Sequence, residues 1–243
     1  MTLTLENTGE DSSLFLKLFD HLGEKKYSVL AFYRRIVEEQ LENKENSETK
    51  LLNAATLTEM VNYFRVELLD PFNEMYSPEE RIIEVYREEK TEERDVLEGK
   101  LDFMIVFCDI YTQLATFAAE EYKYMLTDVG AMQVTLDLLF TLNQICQVLE
   151  RRGVYGPHDI KTKVDTRILK SHPFAGYNSK MVALVMSITY RSSPEVEDYF
   201  MSPEGKLRLG TILSYTKLDV DNPTLREWCI MTIRNLCSWS KAI

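Results

Sequence analysis

Glycine and proline are scarce in this chain, nine and seven in 243 residues. Sheet-rich folds need many turn residues, so the scarcity argues against a sandwich or barrel and favours long helices with short connections. No run of about eighteen apolar residues occurs, so no stretch is long and apolar enough to span a membrane as a helix. Residues 1–5 have neither the charged start nor the apolar core of a signal peptide. The four cysteines, Cys108, Cys146, Cys229 and Cys237, include no Cys-x-x-Cys pair. Lying in helical patterns, they predict free buried thiols in a reducing, intracellular compartment. Positive charge is also short. A net charge of −11 argues against a nucleic-acid partner, whose phosphates the surface would repel. It permits a basic peptide or protein, although such acidity mainly serves solubility.

Catalytic patterns are missing too. There is no phosphate-cradling glycine loop, no Gly-x-Ser-x-Gly and no metal-spaced histidine pair. The three histidines are scattered. His21 follows an apolar stretch, His158 stands beside Asp159 in a loop-like region, and His172 precedes Pro173. Adjacent carboxylates such as Glu38/Glu39 and Glu120/Glu121 point about 100° apart on a helix and form no acid–base dyad. No catalytic, cofactor or metal site and no small-molecule substrate is expected. An all-helical enzyme would need a deep polar pocket holding a histidine and a carboxylate of shifted pKa.

What is present is apolar helical periodicity. The chain is 45% hydrophobic and 28% charged, too apolar for disorder. Thirteen tyrosines and ten methionines suit helix-on-helix packing, because methionine fills irregular gaps. Three- and four-residue spacing predicts helices over 12–22, 27–42, 50–69, 78–90, 96–126 and 132–149. Residues 44–49 read as a connection, Asp70-Pro71 as a break, 88–93 as a solvated charge run and Gly99 as a start or kink. Thr127-Asp128-Val129-Gly130 reads as a short break. Ser77-Pro78-Glu79-Glu80 reads as a capping box. Residues 151–171 read as a loop or insertion. Further helices are expected from Ser179 to about Arg191, after Ser193-Pro194 and after Ser202-Pro203. Ile145-Cys146, Ile188-Thr189 and Leu236-Cys237 sit near helix ends, offset by 43 and 48 residues. Those offsets lie near the roughly 40–47-residue period of HEAT and armadillo units.

The most informative stretch is 219–239. Asn222 is a suitable N-cap and Pro223 a suitable first helical residue. Leu225, Trp228, Cys229, Thr232, Leu236 and Trp239 form one stripe, which Ile230 and Ile233 widen. So broad a stripe predicts a helix with neighbours on both sides, as in a stacked-helix array.

Asp-x-Asp-Asn-Pro at 219–223, Arg-Glu-Trp at 226–228 and Ile-Arg-Asn-Leu at 233–236 resemble the C-terminal signature of the ataxin-10 family. His172-Pro173, Ser179-Lys180-Met181-Val182 and Ser187-Ile188-Thr189-Tyr190 resemble the preceding helix of that domain. Ser187-Ile188-Thr189 stands where the family tends to show Gly-Asn-Leu. Pro203-Glu204-Gly205-Lys206-Leu207 replaces a Gly-Gly-Ile-Pro-like turn. The resemblance spans 172–243 and implies an all-α, armadillo/HEAT-like right-handed α-solenoid with no catalytic site. The expected organisation is a single solenoid over 1–243, with N-terminal repeats over 1–150, the loop over 151–171 and ataxin-10-like repeats over 172–243. The resemblance also implies a cytoplasmic, homo-oligomeric scaffold for protein partners, with roles in cytokinesis (cell division) or neuronal maintenance.

Candidate protein-binding residues are Arg234, Asn235, Trp228 and Trp239. An asparagine on the third helix of an armadillo repeat commonly faces the concave groove, where one side chain supplies both donor and acceptor to an extended peptide. Asn235 resembles that position, and a hydrogen bond to a neighbouring helix is the other reading. Trp228 is expected in the core, and Trp239 either there or at an interface. The apolar end at Ile243 invites coverage by a second copy. The alternative to a self-associating scaffold is an armadillo-type groove binder of basic linear peptides, serving as a transport or adaptor receptor.

Overall fold

The computed structural model describes residues 54–76, 79–87, 92–117, 120–154, 174, 176–191, 193–217, 222 and 224–239. All regular structure among them is helical. In chain order come α1 (Ala54–Phe64), a π-helical turn (Arg65–Leu69), α2 (Asp70–Tyr76), α3 (Glu79–Arg87), α4 (Glu92–Phe117) and α5 (Glu120–Asp128). They are followed by α6 (Ala131–Arg151), α7 (Tyr177–Thr189), α8 (Pro194–Met201), α9 (Pro203–Ser214) and α10 (Leu225–Trp239). The helices expected over 12–22 and 27–42, the connection 44–49, the three histidines, Ile243 and the loop beyond Val154 lie outside the described residues.

The expected break at Asp70-Pro71 does not occur. α1, the π turn and α2 follow one another without interruption from Ala54 to Tyr76. A proline inside a helix lacks an N–H, and its ring crowds the carbonyl one turn back. The π turn answers this: the Asp70 N–H reaches back to the Arg65 carbonyl, five residues instead of four. The widened turn sits just ahead of Pro71, where a regular helix would crowd the proline ring. Leu68, Leu69, Phe72 and Met75 therefore all stay in the core.

The helix expected over 96–126 differs in two ways. It begins earlier, at Glu92, so part of the acidic run is helical. Glu92, Glu93 and Asp95 occupy its first turn, where negative charge suits the helix dipole. Its described parts are α4 and α5, with 118–119 outside the described residues, and Gly99 lies inside α4 instead of starting it.

α6 is the hub, packed against the π turn, α2, α3, α5, α7 and α9. Gly130, at φ 78°, starts it; such a left-handed turn suits glycine, which has no Cβ to clash. It stops at a Schellman motif. The Gly153 N–H donates to the Glu150 carbonyl and the Val154 N–H to the Leu149 carbonyl, both at 3.0 Å, with Gly153 at φ 66°. These bonds satisfy carbonyls that the helix end would leave unmet. Arg208 fastens α9 to α6. Its Nε donates to Asp137 Oδ1 at 2.7 Å, and its guanidinium lies 4.1 Å from the Phe140 ring centre. Phe174 is fully buried and packs edge-on against Phe72 and Tyr86. It thereby anchors the chain ahead of α7 to α2 and α3.

The turn between α8 and α9 is a close crossing. Ser202 caps α9 as its sequence predicts: Oγ accepts from the Gly205 N–H at 3.0 Å, and Pro203 takes the first turn. Gly205 is buried under the end of α8. A Cβ there would overlap the Tyr199 carbonyl oxygen and lie 2.7 Å from Phe200 Cα. Backbone cannot yield as a flexible side chain can, so helix propensity loses to overlap here. Gly205→Ala should cost at least about 2 kcal/mol of stability, although alanine favours exposed helix by about 1 kcal/mol. Gly210, with open space around it, should show the opposite sign. Urea denaturation of the two variants measures the contrast.

Candidate functional site

Three long helices, α4, α7 and α10, stand side by side with α7 in the middle. Between α4 and α7, the Tyr177 hydroxyl donates to Asp102 Oδ1 at 2.8 Å. Lys180 Nζ donates to Asp109 Oδ1 at 2.7 Å, and Thr116 Oγ1 to Ser187 Oγ at 3.1 Å. Between α7 and the α10 segment, the Gly176 N–H donates to Asn222 Oδ1 at 2.6 Å. Asn235 Nδ2 donates to the Met186 carbonyl at 3.1 Å. Residue numbers rise together across both contacts, so the three helices run parallel. α7 buries every residue except Tyr177, Lys180 and Met186.

Of the offset positions, Ile188 and Leu236 do lie on neighbouring helices, α7 and α10. Ile145 lies on α6, which packs against α7 but is not one of the parallel trio. The helix that flanks α7 opposite α10 is α4.

α10 is covered on one side. Leu225, Cys229, Thr232, Asn235 and Leu236 are buried, and Trp228 and Ile233 pack partly against the core. The opposite face is open to solvent, with Ile230 46% and Met231 42% exposed. Glu227 and Arg234 are exposed on that same face. The expectation of neighbours on both sides thus fails for α10. Its stripe is broad in sequence, but only the α7 side is occupied among the described residues. At 100° per residue, Glu227 and Arg234 project within about 20° of each other, two turns apart. Ile230 and Met231 flank that line. Neither charge has an ion-pair partner among the described residues.

The candidate residues therefore part company. Arg234 is on the open face. Trp228 is half-buried against the core. Trp239 is the last residue of α10. Asn235 is 9% exposed, and its amide is turned to the end of α7, where Thr189 Oγ1 at 3.4 Å is a second partner. A helix leaves its last carbonyls unmet. Asn235 adds a cross-helix donor to the Met186 carbonyl, which also accepts the Tyr190 N–H at 3.1 Å and the Thr189 hydroxyl at 3.0 Å, and Lys123 Nζ supplies one to the Tyr190 carbonyl at 2.8 Å.

Asn222, read from sequence as a helix cap, is 1% exposed and also reaches across to α7, at its other end. Its backbone carbonyl accepts the Leu225 N–H at 3.0 Å, so it still starts α10. Nothing in the sequence marks Glu227, Ile230 and Met231 as a surface. In sequence they are indistinguishable from a face that meets a neighbour.

The site so far is an all-helical row ending in a half-covered helix, with no cluster of metal-ligating side chains among the described residues. Residues 177–242 match a family model described as the spinocerebellar ataxia type 10 protein domain, the ataxin-10 homo-association domain. The match begins at the first residue of α7 and takes in α8, α9 and α10. The matched family is generally non-catalytic, and its domain name implies self-association. No solved structure matches the chain.

Two outcomes follow from this geometry. Asn235→Ala removes a cross-helix bond to a carbonyl that still accepts the Tyr190 N–H, and should cost about 0.5–1.5 kcal/mol. Arg234→Ala, one residue away on the open face, should stay within about 0.5 kcal/mol. Chemical denaturation of both variants gives the comparison. The thiols should divide as well. Burial pushes the Cys108 thiol up and that of Cys229 up to about 12, and Cys146 is buried. Thiolate is the reactive form, so at pH 8 Cys108 and Cys229 stay protonated, and all three thiols are shielded. Cys237 is exposed. A thiol reagent should modify one cysteine quickly in the folded chain, and Cys237→Ser should remove that phase.

Proposed function

We propose that this chain is a non-enzymatic protein–protein interaction scaffold of the ataxin-10 type, which self-associates through its C-terminal helices and binds further protein partners. The match of residues 177–242 to the homo-association domain carries this reading. The parallel row of α4, α7 and α10 supports an armadillo-like, right-handed solenoid: in such stacks the corresponding helices of successive repeats lie side by side in one layer. On that reading α7 and α10 close successive repeats, with α8 and α9 between them. The uncovered face of α10 is then the outer side of the described row, where apolar side chains remain to be met.

A cytoplasmic location and a role in cytokinesis or neuronal maintenance belong to the same proposal and rest on the family resemblance. The peptide-groove alternative gains nothing from Asn235, whose amide is engaged with α7. Light scattering over a concentration series, at an ionic strength that screens the net charge of −11, tests the proposal. The expected mass rises with concentration to a multiple of 28.4 kDa. A chain that stays at 28.4 kDa throughout would rule self-association out.

A further inference from the structure

The open face of α10 has an internal symmetry. Glu227 and Arg234 lie on its midline, and the point halfway between them falls between Ile230 and Met231. A two-fold axis through that point, perpendicular to the plane of two side-by-side helices, would set one α10 antiparallel to another. Glu227 of each copy would then stand opposite Arg234 of the other, giving two ion pairs from one operation. Ile230 would meet the second copy's Ile230, and Met231 its Met231. An isologous contact requires this kind of self-complementarity, in which the same patch serves both subunits.

We propose that the chain pairs with a second copy of itself through this contact, α10 against α10 about a two-fold axis between Ile230 and Met231. The inference rests on the self-association reading above and specifies its surface. Three observations carry it. The apolar pair is exposed on a helix whose other side is already packed. The two charges are opposite in sign and about 10 Å apart along the helix, too far to pair with one another in the same copy. Neither has an ion-pair partner among the described residues.

The antiparallel arrangement also opposes the two helix dipoles. The Asn235 side of α10 faces α7 and stays outside the contact. One helix pair is a small interface of the weak, transient class, below about 1,200 Å², so association belongs in a concentration series and not in a single measurement.

The experiment is sedimentation or light scattering on the full chain and on three variants: Glu227→Arg, Arg234→Glu and the double exchange. All the altered side chains are exposed, and unchanged thermal melts would verify that the variants fold. Each single exchange turns two attractions into two repulsions and should raise the dissociation constant roughly tenfold or more. The double exchange restores opposite charges at both places and should return it to within about threefold of the parent, on the same charge-complementarity argument. Single variants that associate like the parent would overturn this contact, as would a double variant no better than the singles. Self-association by another surface would still stand in both cases. A parent chain that is monomeric at every concentration would instead remove the underlying reading and this contact with it.

Discussion

A helix buried on two sides cannot satisfy its own ends. α7 meets that constraint through asparagines on the segment that packs beside it. Asn222 takes up the Gly176 N–H ahead of its first turn, and Asn235 gives a proton to the Met186 carbonyl in its last. One amide acts as acceptor near the first turn and the other as donor near the last, where the Met186 carbonyl also accepts the Tyr190 N–H. The two bonds lie near opposite ends of α7. The side-by-side alignment of the two helices is therefore set by polar bonds, while burial supplies the attraction. On the other flank Tyr177, Lys180 and Ser187 do the same against Asp102, Asp109 and Thr116.

This register fixes what the C-terminal surface can be. With Asn235 and Leu236 held against α7, the rotation of α10 about its own axis is decided. Glu227, Ile230, Met231 and Arg234 must then face away. The close crossing at Gly205 similarly fixes α9 beneath the end of α8, and Arg208 locks α9 to α6 through Asp137 and the Phe140 ring. The open face thus lies on a rigid support, so a contact made there needs little ordering of the backbone.

Much of this was legible in the sequence. The all-helical class followed from the scarcity of turn residues and from apolar spacing. The starts of α8 and α9 followed from Ser-Pro pairs, and the segment 172–243 from motifs that the matched domain, 177–242, overlaps closely. What escaped depended on three dimensions. Pro71 reads as a breaker because a one-residue widening of a helix leaves no pattern in sequence. Gly205 reads as a turn residue until Tyr199 and Phe200 are placed against it. Asn222 reads as a cap for its own helix only, and Asn235 leaves groove and neighbouring helix both open, because an amide can serve either with the same atoms. α10 looked buried all round because periodicity records which residues are apolar and not which neighbour is present.

That last ambiguity has a physical side. A helix face buried within one chain can be wholly apolar, as most of α7 is, because it meets water only when the chain is unfolded. A face that waits for a second molecule must remain soluble alone, and a contiguous apolar patch would invite indiscriminate contacts. Placing Glu227 and Arg234 on the midline divides the apolar surface of α10 into two small parts. Those charges reject most apolar partners, since they would be buried without compensation. A partner that returns an opposite charge at each position avoids that cost, and a second copy in the antiparallel sense does so at both places. The residues that limit the affinity of this face are therefore the ones that would select its partner.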